Sequence, residues 1–89
     1  MPTLSFTPNL LRHLPVPPAQ ISGSTVREVL QGYFKDHPQV RSYVLDDQGE
    51  VRKHIAIFLN QEIIRDRIAL GDAVRENDEI LVMQALSGG

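Results

Sequence analysis

The segment His54-Ile55-Ala56-Ile57-Phe58-Leu59-Asn60 is the most strand-like stretch of the chain. Ile55, Ile57 and Leu59 fall on one side of an extended backbone; Ala56 and Phe58 fall on the other. Both sides are apolar, so 54–59 is predicted to be the strongest strand and to run inside a sheet. Asn60 and Gln61 supply a turn into a short partner strand, Glu62 to Ile64. Arg65 to Val74 reads as a loop with room for a helical turn. Asn77 and Asp78 turn the chain into a last strand, Ile80 to Gln84.

Upstream, Asp46 to Gly49 forms a turn, and Tyr43 to Leu45 before it reads as a short extended segment. The clearest helix is Thr25 to Asp36. Thr25 and Glu28 match a capping box, in which each side chain satisfies an otherwise orphaned backbone donor. Val26, Val29, Leu30 and Tyr33 recur at helical spacing with Phe34 beside them, while Arg27, Glu28, Gln31 and Lys35 lie off that stripe. Pro38 disfavours helical geometry at His37 and ends the helix there. Leu4 to Thr7 alternates as a half-buried first strand, and Gln20 to Ser22 makes a short second one. Pro8, Pro15, Pro17 and Pro18 punctuate the connection between them; its Leu10, Leu11 and Leu14 either fold back onto the core or form one helical turn.

The order is strand, strand, helix, three strands. This predicts an α+β domain: a small mixed sheet with one main helix packed on one face. The β-grasp (ubiquitin-like) arrangement satisfies it, with first and last strands adjacent and parallel, although periodicity alone does not prove that pairing. The expected core is Leu4, Phe6, Ile21, Val26, Val29, Leu30, Ile55, Ile57, Leu59, Ile64, Val74, Ile80 and Val82.

Composition narrows the function. The chain has 89 residues, 42% hydrophobic and 22% charged, with a net charge of −2 and no cysteine. One small domain fits this length, with little space for a deep active site, so an enzyme is not expected. The acidic balance disfavours nucleic-acid binding. No apolar run reaches the roughly 20 residues of a membrane helix, and no secretory signal is visible, which makes the cytoplasm the default. Without cysteine there is no disulfide, no thiolate metal site and no cysteine nucleophile.

Catalytic patterns are absent: no glycine-rich phosphate loop, no nucleophile elbow, and no metal-ligand spacing among His13, His37 and His54. Arg52-Lys53-His54 reads as a solvated strand entrance, with an acidic partner as the alternative. Arg65-Asp66-Arg67 reads as self-compensating surface charge, with contact to a partner as the alternative. Asp46-Asp47 and Glu76 to Glu79 are turn residues without calcium-loop spacing.

The sequence Gln84-Ala85-Leu86-Ser87-Gly88-Gly89 closes the chain directly after the last strand, dividing it into a body at 1–84 and a flexible tail at 85–89. This tail, together with Ile57-Phe58-Leu59-Asn60, Asp78-Glu79-Ile80 and, more loosely, Thr7-Pro8-Asn9-Leu10-Leu11-Arg12, resembles the MoaD/ThiS family of ubiquitin-like sulfur carriers. Asn77 stands where that family commonly has glycine; asparagine tolerates a left-handed backbone, which would preserve the turn. The proline-rich loop, Pro15 to Pro18, departs from the molybdopterin and thiamin branches, and the form looks more like carriers serving amino-acid synthesis.

The resemblance implies that the Gly89 carboxylate is adenylated by an E1-like adenylyltransferase and converted to a thiocarboxylate. ATP and magnesium would belong to that partner, and no cofactor or metal to this chain. A sulfurtransferase would donate sulfur and a downstream synthase would accept it, with the carrier alone a monomer. Leu86, Ser87 and Gly88 would thread the partner's channel, where missing Cβ atoms permit close approach. If Ile80 and Val82 face the helix, then Leu81 and Met83 face outward, with Phe58 on the same open side. That trio is the expected docking patch, unless the long N-terminal loop partly covers it. Two alternatives stay open: a ubiquitin-like modifier joined to lysine through Gly89, or a β-grasp interaction module whose glycines are incidental.

Overall fold

The computed structural model describes residues 1–7 and 18–84. Five strands form one mixed sheet: β1 (Thr3–Phe6), β2 (Ala19–Gln20), β3 (Ile55–Leu59), β4 (Glu62–Ile63) and β5 (Glu79–Gln84). Their spatial order is β2-β1-β5-β3-β4. β1 runs parallel to β5, and every other pair is antiparallel. The first and last strands are therefore adjacent and parallel, as the element order predicts, and β3 lies inside the sheet as its two apolar sides require.

Helix α1 (Val26–Asp36) lays Val26, Val29, Leu30, Tyr33 and Phe34 onto the core. Thr25 is its N-cap, and its hydroxyl accepts from the Glu28 amide at 3.2 Å. The reciprocal arm of the expected capping box differs. Glu28 Oε1 takes the amide and hydroxyl of Ser24, at 2.7 and 2.8 Å, one residue before the cap. These bonds, the Ser24 amide first, hold the Glu28 carboxyl below its ordinary range. Carbonyls of the 65–74 loop satisfy two further helix-start donors: Val26 N–H donates to Asp72 and Arg27 N–H to Leu70. Gly32 sits mid-helix because Ile21 crosses there; a Cβ would come within 2.7 Å of the Ile21 Cγ2.

The expected extended segment at Tyr43 to Leu45 is a correction. Residues Pro38–Val44 form a second helix, α2, and only Leu45 is extended, bridged to Val51. Pro38 does end α1, but it also starts α2, because a proline at the first helical position loses no needed donor. Val40 and Val44 are buried four residues apart, a helical repeat too short to stand out from the sequence.

The core contains the expected residues, with Phe6, Ile21 and Leu59 only partly buried at its margin. It also takes in Tyr33, Phe34, Val40, Val44, Leu45, Val51 and Leu70. Boundaries shift by one or two residues at each of the five strands. Leu10, Leu11, Leu14 and the prolines at 8, 15 and 17 lie outside the described residues.

Candidate functional site

Helix α1 covers one face of the sheet. On the other, strand register assembles an apolar row. Phe58 of β3 stands opposite Leu81 of β5 and also opposite Ile63 of β4. Leu81 in turn neighbours Ser5 of β1, and Met83 stands opposite Ala56. Because paired residues share a face, Ile63, Phe58, Leu81 and Ser5 run as one line across four strands. Phe58, Leu81 and Met83 are half-buried, while Ile63 is 56% exposed. Phe58, Leu81 and Met83 line a shallow depression of about 490 Å³ whose rim includes Asn60, Gln61 and Glu79. The inward partners Ile80 and Val82 are buried, so the alternation of β5 is real: one side builds the core and the other is offered outward.

The rim is pinned by a hydrogen-bonded node. Asn60 and Gln61 carry left-handed backbones, φ +52° and +73°, and close the β3–β4 hairpin. Asn60 donates its side-chain amide to Asp78 Oδ1 at 2.8 Å and accepts from the Glu79 amide at 2.9 Å. Asp78 Oδ2 accepts from the Arg75 amide at 2.7 Å. The Asn60 amide, then the Arg75 backbone, hold the Asp78 carboxyl below the ordinary aspartate range. Asn77 is not left-handed, contrary to expectation; the Arg75–Asp78 bonds shape that turn instead.

Phe58, Leu81 and Met83 are thus brought together as expected. Leu86, Ser87, Gly88 and Gly89 lie outside the described residues, but they follow β5, the strand that carries Leu81 and Met83. Ile63 escaped the sequence reading. The signal for it was its place across a two-residue turn from Phe58.

Two charged clusters have structural roles that their sequence concealed. Arg52 Nε donates to the Ser42 carbonyl at 2.7 Å, whereas Lys53 and His54 are exposed. Arg65-Asp66-Arg67 is not a self-compensating set. Asp66 instead accepts backbone amides of Ile68, Ala69 and Gly71. Arg67 donates to the carbonyls of Arg52 and Ile55. His37 packs on Tyr33, ring centroids 4.4 Å apart. Among the described residues no three His, Asp or Glu side chains gather to hold a metal, and no helix is long and apolar enough to cross a membrane.

The ThiS family profile matches residues 16–89. Small archaeal modifier protein 1 of Haloferax volcanii is 35% identical over 66 residues, covering 74% of this chain and 71% of that protein. The crystal structure of SAMP1 from Haloferax volcanii superposes with a TM-score of 0.74 at 27% identity, over 99% of this chain and 98% of that one. A chain from the Amycolatopsis orientalis BexX/CysO complex superposes with a TM-score of 0.78 over the whole of both chains; at 18% identity that likeness speaks to fold. The sheet order, the helix across one face and these matches agree on a β-grasp domain. The profile spans most of the length, including β3 and β5 of the open face, and the chain belongs to the ThiS family, small ubiquitin-like proteins that are not themselves enzymes.

Proposed function

We propose that this protein is a sulfur carrier whose working group is the Gly89 carboxylate, presented by the folded body at 1–84 through a short tail at 85–89. The observation that carries the reading is the family match running through Gly88-Gly89 in a chain with no cysteine. Without a thiol the chain has no persulfide to offer, and a carboxyl group is its remaining means of holding sulfur covalently.

A carboxylate resists attack because its charge repels nucleophiles and oxide is a poor leaving group. An E1-like adenylyltransferase removes both obstacles. A Gly89 carboxylate oxygen attacks the α-phosphorus of ATP and pyrophosphate departs, leaving an acyl adenylate. Hydrosulfide then attacks the carbonyl carbon. AMP leaves with the C–O bonding pair, a proton is lost, and a terminal thiocarboxylate results. A persulfide donor gives an acyl disulfide first, which a thiol must cleave. ATP and magnesium are held by the partner. Phe58, Leu81 and Met83 form the face on which that partner docks. Leu86, Ser87 and Gly88 thread its channel, where the absent Cβ of glycine allows close approach. The chemistry fits a sulfur-accepting synthase of amino-acid or cofactor biosynthesis.

A second reading is favoured by one specific observation: the 35% identical relative is named a modifier protein. The same adenylate would then acylate a lysine amine. Intact mass of the protein from its own host separates the two. The carrier reading expects one oxygen exchanged for sulfur; the modifier reading expects larger adducts on other proteins. In reconstitution with the adenylyltransferase, Gly89→Ala or a one-residue C-terminal extension should abolish activation while the fold persists. Normal activation of either variant overturns both readings.

A further inference from the structure

On the helix side of the sheet, away from the open face, a groove of about 250 Å³ lies between α1, α2, the turn at Gly49 and Leu70. Its floor is apolar: Leu30, Phe34, Leu45 and Leu70 are all buried there. Its walls are cationic, formed by the exposed side chains of Arg27, Lys35 and Arg41. Arg27 and Lys35 stand two helical turns apart on one stripe of α1, a span of about 12 Å at the α-helical rise, and Arg41 faces them from α2.

The side chains of Arg27, Lys35 and Arg41 make no ion pair or hydrogen bond among the described residues. By contrast, Arg52 and Arg67 are committed to backbone carbonyls. Among the described residues no carboxylate lines the groove. The nearby acids are elsewhere engaged or outside its wall: Glu28 is held by Ser24 and Asp46 by the amides of Gln48 and Glu50, while Asp36 and Asp47 do not line it. A third of the nine basic residues thus border one groove of a chain whose net charge is −2.

We infer that this groove docks an acidic segment of a partner protein. Carboxylates of the segment would pair with Arg27, Lys35 and Arg41, and one apolar side chain would cover Leu30 and Phe34. A row of cations two turns long fits an extended anionic chain. The apolar floor and the acidic balance of the whole molecule favour a peptide over a nucleic acid. The site lies on the opposite layer from the Phe58–Leu81–Met83 face, so both are open to occupation together. It does not depend on the chemistry proposed at Gly89.

The test uses the full chain and a labelled peptide of alternating aspartate and glutamate with one central leucine. Fluorescence anisotropy reads binding, and amide shift mapping reads location. The expected result is salt-sensitive binding with shifts at Arg27, Gln31, Lys35, Arg41 and Gly49. Arg27→Glu with Lys35→Glu should weaken it on the order of tenfold, the scale of a few exposed charge pairs reversed together. Arg41→Gln, a milder change in the other helix, should weaken it less, and circular dichroism confirms folding of each variant. Absence of binding, shifts mapping to the open sheet face, unchanged affinity in the double variant, or equal affinity for a single-stranded oligonucleotide of matched charge each overturns the proposal.

Discussion

Asn60 Nδ2 donates to Asp78 Oδ1 at 2.8 Å, while Asn60 Oδ1 accepts from the Glu79 amide at 2.9 Å. One side chain thus ties the β3–β4 hairpin to the entrance of β5, and the two short motifs at 57–60 and 78–80 are a single physical unit. Asn60 also holds φ at +52°, where a Cβ-bearing residue is strained unless its side chain bonds locally. Asn60→Gly removes the bonds but keeps the backbone comfortable; Asn60→Ala removes both. The alanine variant is therefore expected to be less stable than the glycine variant by about 1 kcal/mol in urea unfolding. Equal stability would mean that backbone strain at Asn60 contributes nothing.

Legibility in the sequence followed the length of each repeat. β3 and α1 each present several apolar residues at fixed spacing, so their faces and places in the sheet could be read directly. Helix α2 offers only Val40 and Val44, and a preceding proline that signals a stop as readily as a start. The loop at 65–74 was opaque for another reason. Asp66 and Arg67 look like surface charge, yet their partners are backbone groups, which no side-chain pattern discloses. For the open face, alternation in β5 sufficed for Leu81 and Met83, but Ile63 needed the register across the hairpin. The groove at Arg27, Lys35 and Arg41 required α2, and so could not be assembled before that helix was known.

Asp66 predicts how the fold responds to acid. Its carboxylate gathers amides of the 68–71 segment, Ala69 first and then Gly71, and is held below the ordinary aspartate range. A carboxyl group with a lowered pKa in the fold contributes fully above its unfolded value, and that contribution is lost as pH falls through the lowered one. Asp78 and Glu28 share this direction. Thermal melts should therefore hold through neutral pH and fall below the ordinary carboxylate range. Asp66→Asn should melt earlier at neutral pH and lose less on acidification, because the group that titrates is gone. An acid slope identical to that of the parent would remove Asp66 from the account.

Helix α2 buries one face and exposes the other. In the helix, Val44 is fully buried and Tyr43 is 47% exposed. Val44→Ala should cost about 2 kcal/mol through lost burial and the cavity left behind. Tyr43→Ala should stay within about 0.5 kcal/mol, as substitutions of exposed residues do. Urea denaturation of the two variants checks this, and a larger loss at Tyr43 would contradict that placement.

Leu81 tests whether the open face is where the activating partner lands. It sits between Phe58 and Ser5 with its side chain turned from the core, so Leu81→Glu leaves Ile80 and Val82 in place. A charge at the centre of an apolar contact is costly to bury, and central residues of such contacts dominate their energetics. With the E1-like adenylyltransferase, ATP–pyrophosphate exchange driven by Leu81→Glu should lose roughly 30-fold in kcat/KM, the scale of a central interface residue. Most of that loss should appear in KM, since Leu81 lies in the proposed docking face and not at the proposed reacting carboxylate. Asp47→Ala, in an exposed turn, should behave as the parent does. Unchanged kinetics for Leu81→Glu, with circular dichroism showing an intact fold, would move the docking surface elsewhere. A fall confined to kcat would instead place Leu81 in the alignment of the tail after binding.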